Sequence, residues 1–198
     1  MTLLPLLLTL VTPAVAAPTC EIPVVVNLQG MPDGLWTNFS TSLWEALGMW
    51  DFAPENVKLH ASWEPVEVDS KPGTIIVKFS PVPGGNKKYI GNASSERTRR
   101  GSIMSSLIEI SSSDPWCQTD TQADCYHIRN TILHEVGHAL GLEHNADPRS
   151  IMYYGTSVGS PKIQSIPDVD KQALMHLFPD DGSGCNHQDG RYAWSKIP

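Results

Sequence analysis

Residues 134 to 144 read His134-Glu135-Val136-Gly137-His138-Ala139-Leu140-Gly141-Leu142-Glu143-His144. On an α-helix, two histidines four residues apart are separated by about 400° of turn, so they share one face a single turn apart. Both imidazoles can then reach one ion at roughly 2.0–2.1 Å. Val136, half a turn away, points to the core. The same helix cannot supply a third ligand in a tetrahedral direction. Gly141 can end it, because a left-handed backbone costs glycine nothing, and the turn can swing His144 back to the metal. Three neutral nitrogens with an open fourth position describe a catalytic zinc rather than a structural one. Glu135 follows the first ligand but is off the metal, placed to take a proton from bound water and pass it to a leaving amine. Zinc lowers the pKa of that water to roughly 7 and polarises the scissile carbonyl. The predicted chemistry is therefore metal-assisted hydrolysis. Composition alone yields about 0.01 H-E-x-x-H matches in such a chain, and about 3 in 100,000 once the glycine and third histidine are required.

The elements that must position these groups follow from periodicity. Ile22 to Leu28 is rich in β-branched residues and reads as a first strand. Phe39, Leu43, Leu47 and Trp50 have helical spacing. Lys58–Trp63 and Thr74–Phe79 read as two more strands. Gly84-Gly85-Asn86 opens a long polar loop. Ser102–Ser112 reads as a further strand at an edge of the sheet, on which an extended peptide could add as another strand. Thr121 to Asp124 fits a capping box and predicts a helix start there. The apolar stripe of that helix is Ile128, Ile132, Val136 and Leu140. A last helix is predicted over 167–177, capped by Ser165, with Val169, Leu174 and Leu177 on its apolar face. The fold class is α+β, a twisted mixed sheet with two long helices and a C-terminal helix.

The zinc segment resembles the long signature of the metzincins, H-E-x-x-H-x-x-G-x-x-H. Met152, in Ser150-Ile151-Met152-Tyr153, stands where that family has its methionine turn, eight residues after His144. This short spacing is similar to the matrixins, as is the last helix. The first helix, with Trp44, Ala46 and Trp50, also resembles its matrixin counterpart. The resemblance implies a zincin-like fold and a zinc-dependent endopeptidase acting on protein or peptide substrates. It also implies structural roles for Gly141 and Met152. A tyrosine two residues past the methionine, here Tyr154, resembles astacins and serralysins, where it ligates zinc or stabilises the oxyanion. Matrixins usually carry a structural zinc and calcium ions as well. Residues 61–126 contain no histidine, so one catalytic zinc is expected, and calcium is not readable. Specificity is expected from residues 155–166. The rival readings are another metzincin branch, a secreted zinc-containing binding protein without proteolytic activity, and a hydrolase of non-peptide amides. An intact Glu135 counts against the binding protein.

With 198 residues, 40% hydrophobic and 18% charged, the chain suits one globular domain. Its net charge of −7 argues against nucleic acid. Residues 1–16 form an apolar run ending in Ala14-Val15-Ala16 and read as a secretory signal peptide, too short and Pro-interrupted to span a membrane. The catalytic domain is assigned to 17–198, and a secreted monomer without membrane anchoring is expected. An even count of 4 cysteines suggests two disulfides. Three pairings exist. Cys117–Cys125, a short local loop, and Cys20–Cys185, joining the domain ends, are favoured. Asn38 and Asn92 open glycosylation sequons. Arg97 to Arg100 reads as a solvated basic loop. His127 lies two turns before His134 and cannot share its ion. Met49, Met104 and Met175 read as core.

Overall fold

In β1 (Cys20–Val26), Cys20, Ile22, Val24 and Val26 are buried while Glu21 and Pro23 are exposed, a period-two pattern that gives way at Val25, where the other face is buried as well. The computed structural model describes residues 20–51, 57–63, 69–99, 102–119 and 121–178, and the backbone of 185–188 and 191–194. The strand β1 lies between β2 (Val57–Trp63) and β3 (Ile75–Ser80), parallel to both. β3 pairs in parallel with β5 (Ile103–Ser111), and β4 (Gly91–Arg97) runs antiparallel to β5. The sheet is thus mixed, in the order β2-β1-β3-β5-β4. A hairpin of β6 (Cys185–Gln188) and β7 (Arg191–Trp194) meets it at the pair Ile103–Trp194.

Parallel neighbours need a crossover, and the helix α1 (Trp36–Trp50) supplies the one from β1 to β2. Its residues Phe39, Leu43, Ala46, Leu47 and Trp50 are buried. The second helix, α2 (Ile128–Leu140), buries the expected stripe of Ile128, Ile132, Val136 and Leu140. The two helices pack together, and the Trp50 indole N–H donates to the Leu133 carbonyl at 3.0 Å. Phe39 meets Phe79 of β3 edge-on with ring centroids 5.0 Å apart, which ties α1 to the sheet. A third helix, α3 (Asp168–Leu177), buries Asp170 and Leu174. Among the described residues, no helix is long and apolar enough to cross a membrane.

Several expectations are corrected. Residues 121–126 are not helical, and α2 begins at Ile128 with His127 at its N-cap. The reason is covalent and local: the Cys117–Cys125 disulfide closes this stretch into a loop, Trp116 and Tyr126 form a β-bridge, and the Gln122 side chain accepts from Gln118 and Thr119 N–H. Ser102–Ser112 is not an edge, because β5 is flanked by β3 and β4. The strand beyond it is β4, inside the segment read as loop. Its Gly-Asn-Ala-Ser-Ser-Glu-Arg sequence lacks any apolar alternation by which a strand is recognised. The last helix has Pro167, not Ser165, at its N-cap. Met175 is exposed rather than core.

Cys20 is disulfide-bonded. The Cys185 side chain and residues 1–19, which include the leader-like segment, lie outside the described residues. The Asn38 amide donates to the Cys117 carbonyl, so this sequon's nitrogen is occupied in the fold.

Candidate metal centre

The helix α2 carries His134 and His138 one turn apart and ends at Gly141, whose φ of 108° is left-handed. Gly141 N–H bonds to the His138 carbonyl and Leu142 N–H to the Gly137 carbonyl, both at 2.9 Å, so the last turn closes on itself and the chain reverses. The reversal brings in His144. His138 Nε2 lies 3.1 Å from His134 Nε2 and 3.2 Å from His144 Nε2. Three nitrogens around one tetrahedral ion at about 2.0–2.1 Å should stand about 3.3 Å apart, so this spacing fits a single metal ion.

The other ring nitrogens of His134 and His138 are committed. His134 Nδ1 lies 2.7 Å from the Ile151 carbonyl, and His138 Nδ1 2.7 Å from the Leu142 carbonyl. A carbonyl only accepts, so each Nδ1 carries the proton and each Nε2 presents its lone pair inward. Burial holds His134 down from 6.5 to about 4, against the raising effect of the Ile151 bond, and its histidine neighbours add to the lowering. Burial is also the main reason His138 is lowered. Neutral imidazoles at neutral pH need lose no proton to bind a metal. Glu135 is buried on the same helix. Burial raises its carboxyl from 4.5 to about 8, partly offset by a backbone hydrogen bond from Ala93 of β4. Gly91 of β4 lies so close that an added Cβ would sit 2.7 Å from Glu135 Oε1.

Beneath the histidines lies Met152, buried at 2% exposure. An added Cβ on Gly137 would fall 2.4 Å from the Met152 sulfur and 3.2 Å from the Trp50 ring. Gly137 is therefore the gap in α2 into which the methionine fits. We expect Gly137→Ala to force Met152 aside and cost about 1–3 kcal/mol, read as a lowered thermal midpoint. An unchanged midpoint would show that the turn yields freely.

The turn carrying Met152 is held from below by α3. Asp170, 1% exposed, accepts from the Ser150 hydroxyl at 2.5 Å and from Ile151 N–H at 2.8 Å. Ser150 Oγ in turn accepts from Met152 N–H at 2.9 Å. Since Ile151 also holds His134 through its carbonyl, the carboxylate on α3 steadies one of the three clustered rings through a single residue. Sequence reasoning missed Asp170 and Gly137. The available signal for Asp170 was its position four residues before Leu174 and eight before Phe178, a carboxylate on an apolar stripe.

Tyr154 is 60% exposed, its ring edge-on to His144 at 5.8 Å and tilted against Tyr153 at 4.9 Å. His127 is buried and apart from the three histidines. The histidines open on a cleft of about 880 Å³ between β4 on one side and residues 153–163 on the other.

The sequence that builds this site matches a known family. The family model described as Matrixin matches residues 39–179, and the chain belongs to the matrixin family. Membership implies zinc for the ion that the three histidines could hold. Similar proteins include a probable matrix metalloproteinase, 095L, of Invertebrate iridescent virus 3, 31% identical over 60% of this chain and 34% of its own length. Matrix metalloproteinase-25 of Mus musculus is 34% identical over 33% of this chain and 11% of its own. A putative matrix metalloproteinase of Heliothis virescens ascovirus 3e is 43% identical over 24% of this chain and 10% of its own. The matches thus take in about a third or less of these relatives' length.

Proposed function

We propose that the chain is a secreted, zinc-dependent endopeptidase that cleaves extracellular proteins or peptides. His134, His138 and His144 hold the zinc, and Glu135 serves as general base and then acid. The observation that carries this reading is the convergence of three Nε2 atoms at single-ion spacing beside a buried carboxylate, on a cleft bordered by the sheet edge. Bound zinc would supply a Lewis acid and an acidified water. Glu135 moves the proton, from water to the leaving nitrogen. Among the described residues β4 pairs with β5 alone, and an extended peptide could align along its other side. The apolar run and Ala14-Val15-Ala16 ending of residues 1–16 support secretion.

The test is hydrolysis of a quenched-fluorescence peptide library by the purified chain, with and without a chelator. Activity that disappears on chelation and returns with one zinc per chain supports the reading. One zinc per chain without cleavage of any peptide supports a binding protein instead.

We assign Tyr154 to the oxyanion, because its ring borders His144 on the cleft. Tyr154→Phe keeps the ring and removes the hydroxyl. The expected result is a kcat lowered at least about tenfold with KM unchanged. An unchanged kcat would leave the ring as packing alone.

A further inference from the structure

The turn that leads into β4 carries two adjacent lysines. Lys87 and Lys88 are exposed, and among the described residues neither takes part in an ion pair. The turn beneath them is pinned at both ends. Gly84 N–H donates to Glu109 Oε2 at 2.8 Å, and Ser111 N–H donates to the Ile90 carbonyl at 2.9 Å. Between these points Asn86 closes the turn. Its carbonyl accepts from Tyr89 N–H at 3.1 Å, and its side-chain oxygen accepts from Lys88 N–H at 3.0 Å. Lys88 therefore stands on a backbone held by β5 and by its own turn, with only its long side chain left to move.

Lys88 and Tyr89 line the cleft where β4 begins. Tyr89 is 47% exposed, and its hydroxyl is a second donor on the same turn. Glu135 marks the level of the chemistry along the strand, since it meets Gly91 and takes a backbone hydrogen bond from Ala93. Lys88 precedes Gly91 by three residues, at most about 11 Å of chain. A peptide aligned on β4 advances about 3.3 Å per residue, so side chains about two to four residues from the scissile bond come level with Lys88. The charge around them is unlike that of the whole molecule. The chain has 21 acidic and 14 basic residues, yet the cleft is lined by three basic residues, Lys88, Arg97 and Arg149, and two acidic ones, Glu135 and Glu143. Glu135 is buried, and Arg149 is already paired with Asp147 at 2.7 Å. Lys88 brings an unpaired positive charge to a wall along which substrate would lie.

We propose that Lys88 is a specificity-determining residue and that the chain prefers acidic peptides: the Lys88 ammonium takes the carboxylate of an Asp or Glu placed about two to four residues from the scissile bond. The inference rests on the endopeptidase reading for its substrate. Lys88 touches no reacting atom. It acts by attraction, which draws in oppositely charged chains and turns away like-charged ones. Such a contact at an exposed rim is modest in strength and is weakened by salt.

The experiment uses the zinc-loaded chain and a peptide that it cleaves, with Glu, Gln or Lys placed in turn about two to four residues from the scissile bond on either side. At low ionic strength at least one position should give a kcat/KM about fivefold higher for Glu than for Gln, chiefly through KM, with Lys below Gln. Added salt should bring the ratio toward one, since exposed charges are screened over about 10 Å at about 0.1 M. At the same position Lys88→Gln should remove the preference, and Lys88→Glu should turn it toward Lys. Each ratio is taken within one protein, so differences in folding or zinc loading cancel. Equal rates for Glu and Gln at every position would overturn the acidic preference. A preference for Glu that survives in Lys88→Glu would overturn its assignment to Lys88. If the parent cleaves no peptide, the endopeptidase reading fails by itself. Fluorescence anisotropy of labelled Glu-rich and Lys-rich peptides on the parent and on Lys88→Glu then decides whether Lys88 selects acidic chains, and equal binding would overturn it.

Discussion

Replacing Glu135 by Gln should abolish hydrolysis, lowering kcat/KM by about three to four orders of magnitude while one zinc per chain is retained. Gln keeps the shape and a hydrogen-bonding oxygen but takes up no proton at neutral pH. The three histidines are untouched, so metal content separates loss of the base from loss of the site. Residual activity above about a tenth of the parent's would show that another group takes the proton. A second measurement follows from burial. In the metal-free protein the Glu135 carboxyl is raised from 4.5 to about 8. Between those values the folded chain holds a proton that the unfolded chain has released. The carboxylate therefore costs stability as pH rises from 4.5 to 8, by a few kcal/mol at the upper end. Gln escapes that cost. Metal-free Glu135→Gln should unfold at a higher temperature than the parent at pH 8, with the difference vanishing near pH 4. A bound cation reverses the logic by favouring the charged carboxylate, which then accepts protons as a base. The substitution should thus stabilise the empty protein and disable the loaded one.

Asp170→Ala should be strongly destabilising although it lies outside the three clustered histidines. It removes the acceptor for the Ser150 hydroxyl and Ile151 N–H in a site where Asp170 is 1% exposed. Hydrogen bonds to a buried charge contribute about 1.5–3 kcal/mol each, and orphaned donors add a desolvation cost, so about 3–5 kcal/mol is expected. The Ile151 carbonyl also orients His134. Weakening such an outer partner usually lowers metal affinity about 10–100-fold. Urea unfolding gives the first number and competition with a zinc chelator the second. Asp170→Asn, which keeps the shape and one acceptor, should recover part of both. Parental zinc affinity in a destabilised Asp170→Ala would separate the turn from the metal and refute the link through Ile151.

The clustering of the three histidines was legible because they lie within eleven consecutive residues on one helix and its turn. There the geometry follows from 3.6 residues per turn and one glycine. The same holds for the inward stripes of α1 and α2, where apolar spacing and burial coincide. What was hidden depended on partners distant in the chain. Asp170 lies 20 residues from Ser150, and Asn130, whose side-chain oxygen accepts from Ile163 N–H, lies 33 from it. Nothing local marks either as a clamp. The strand β4 was hidden for a different reason. Its small polar residues carry no alternation, and it exists because β5 offers it a ladder from Gly91 to Arg97. Thr121–Asp124 misled for a third reason, since the capping pattern is present but the disulfide holds the segment in another shape.

The contact between Asp170 and the methionine turn also bears on biosynthesis. A chain grows from its N-terminus, so all three histidines emerge before the helix that steadies one of them. Until α3 has been made and docked, His134 lacks its fixed orientation and Met152 its support. An incomplete chain on the ribosome would hold zinc poorly, and hydrolytic competence would arrive only with the last helix. A chain cut before Asp168 should accordingly lose zinc to a chelator that the full chain resists.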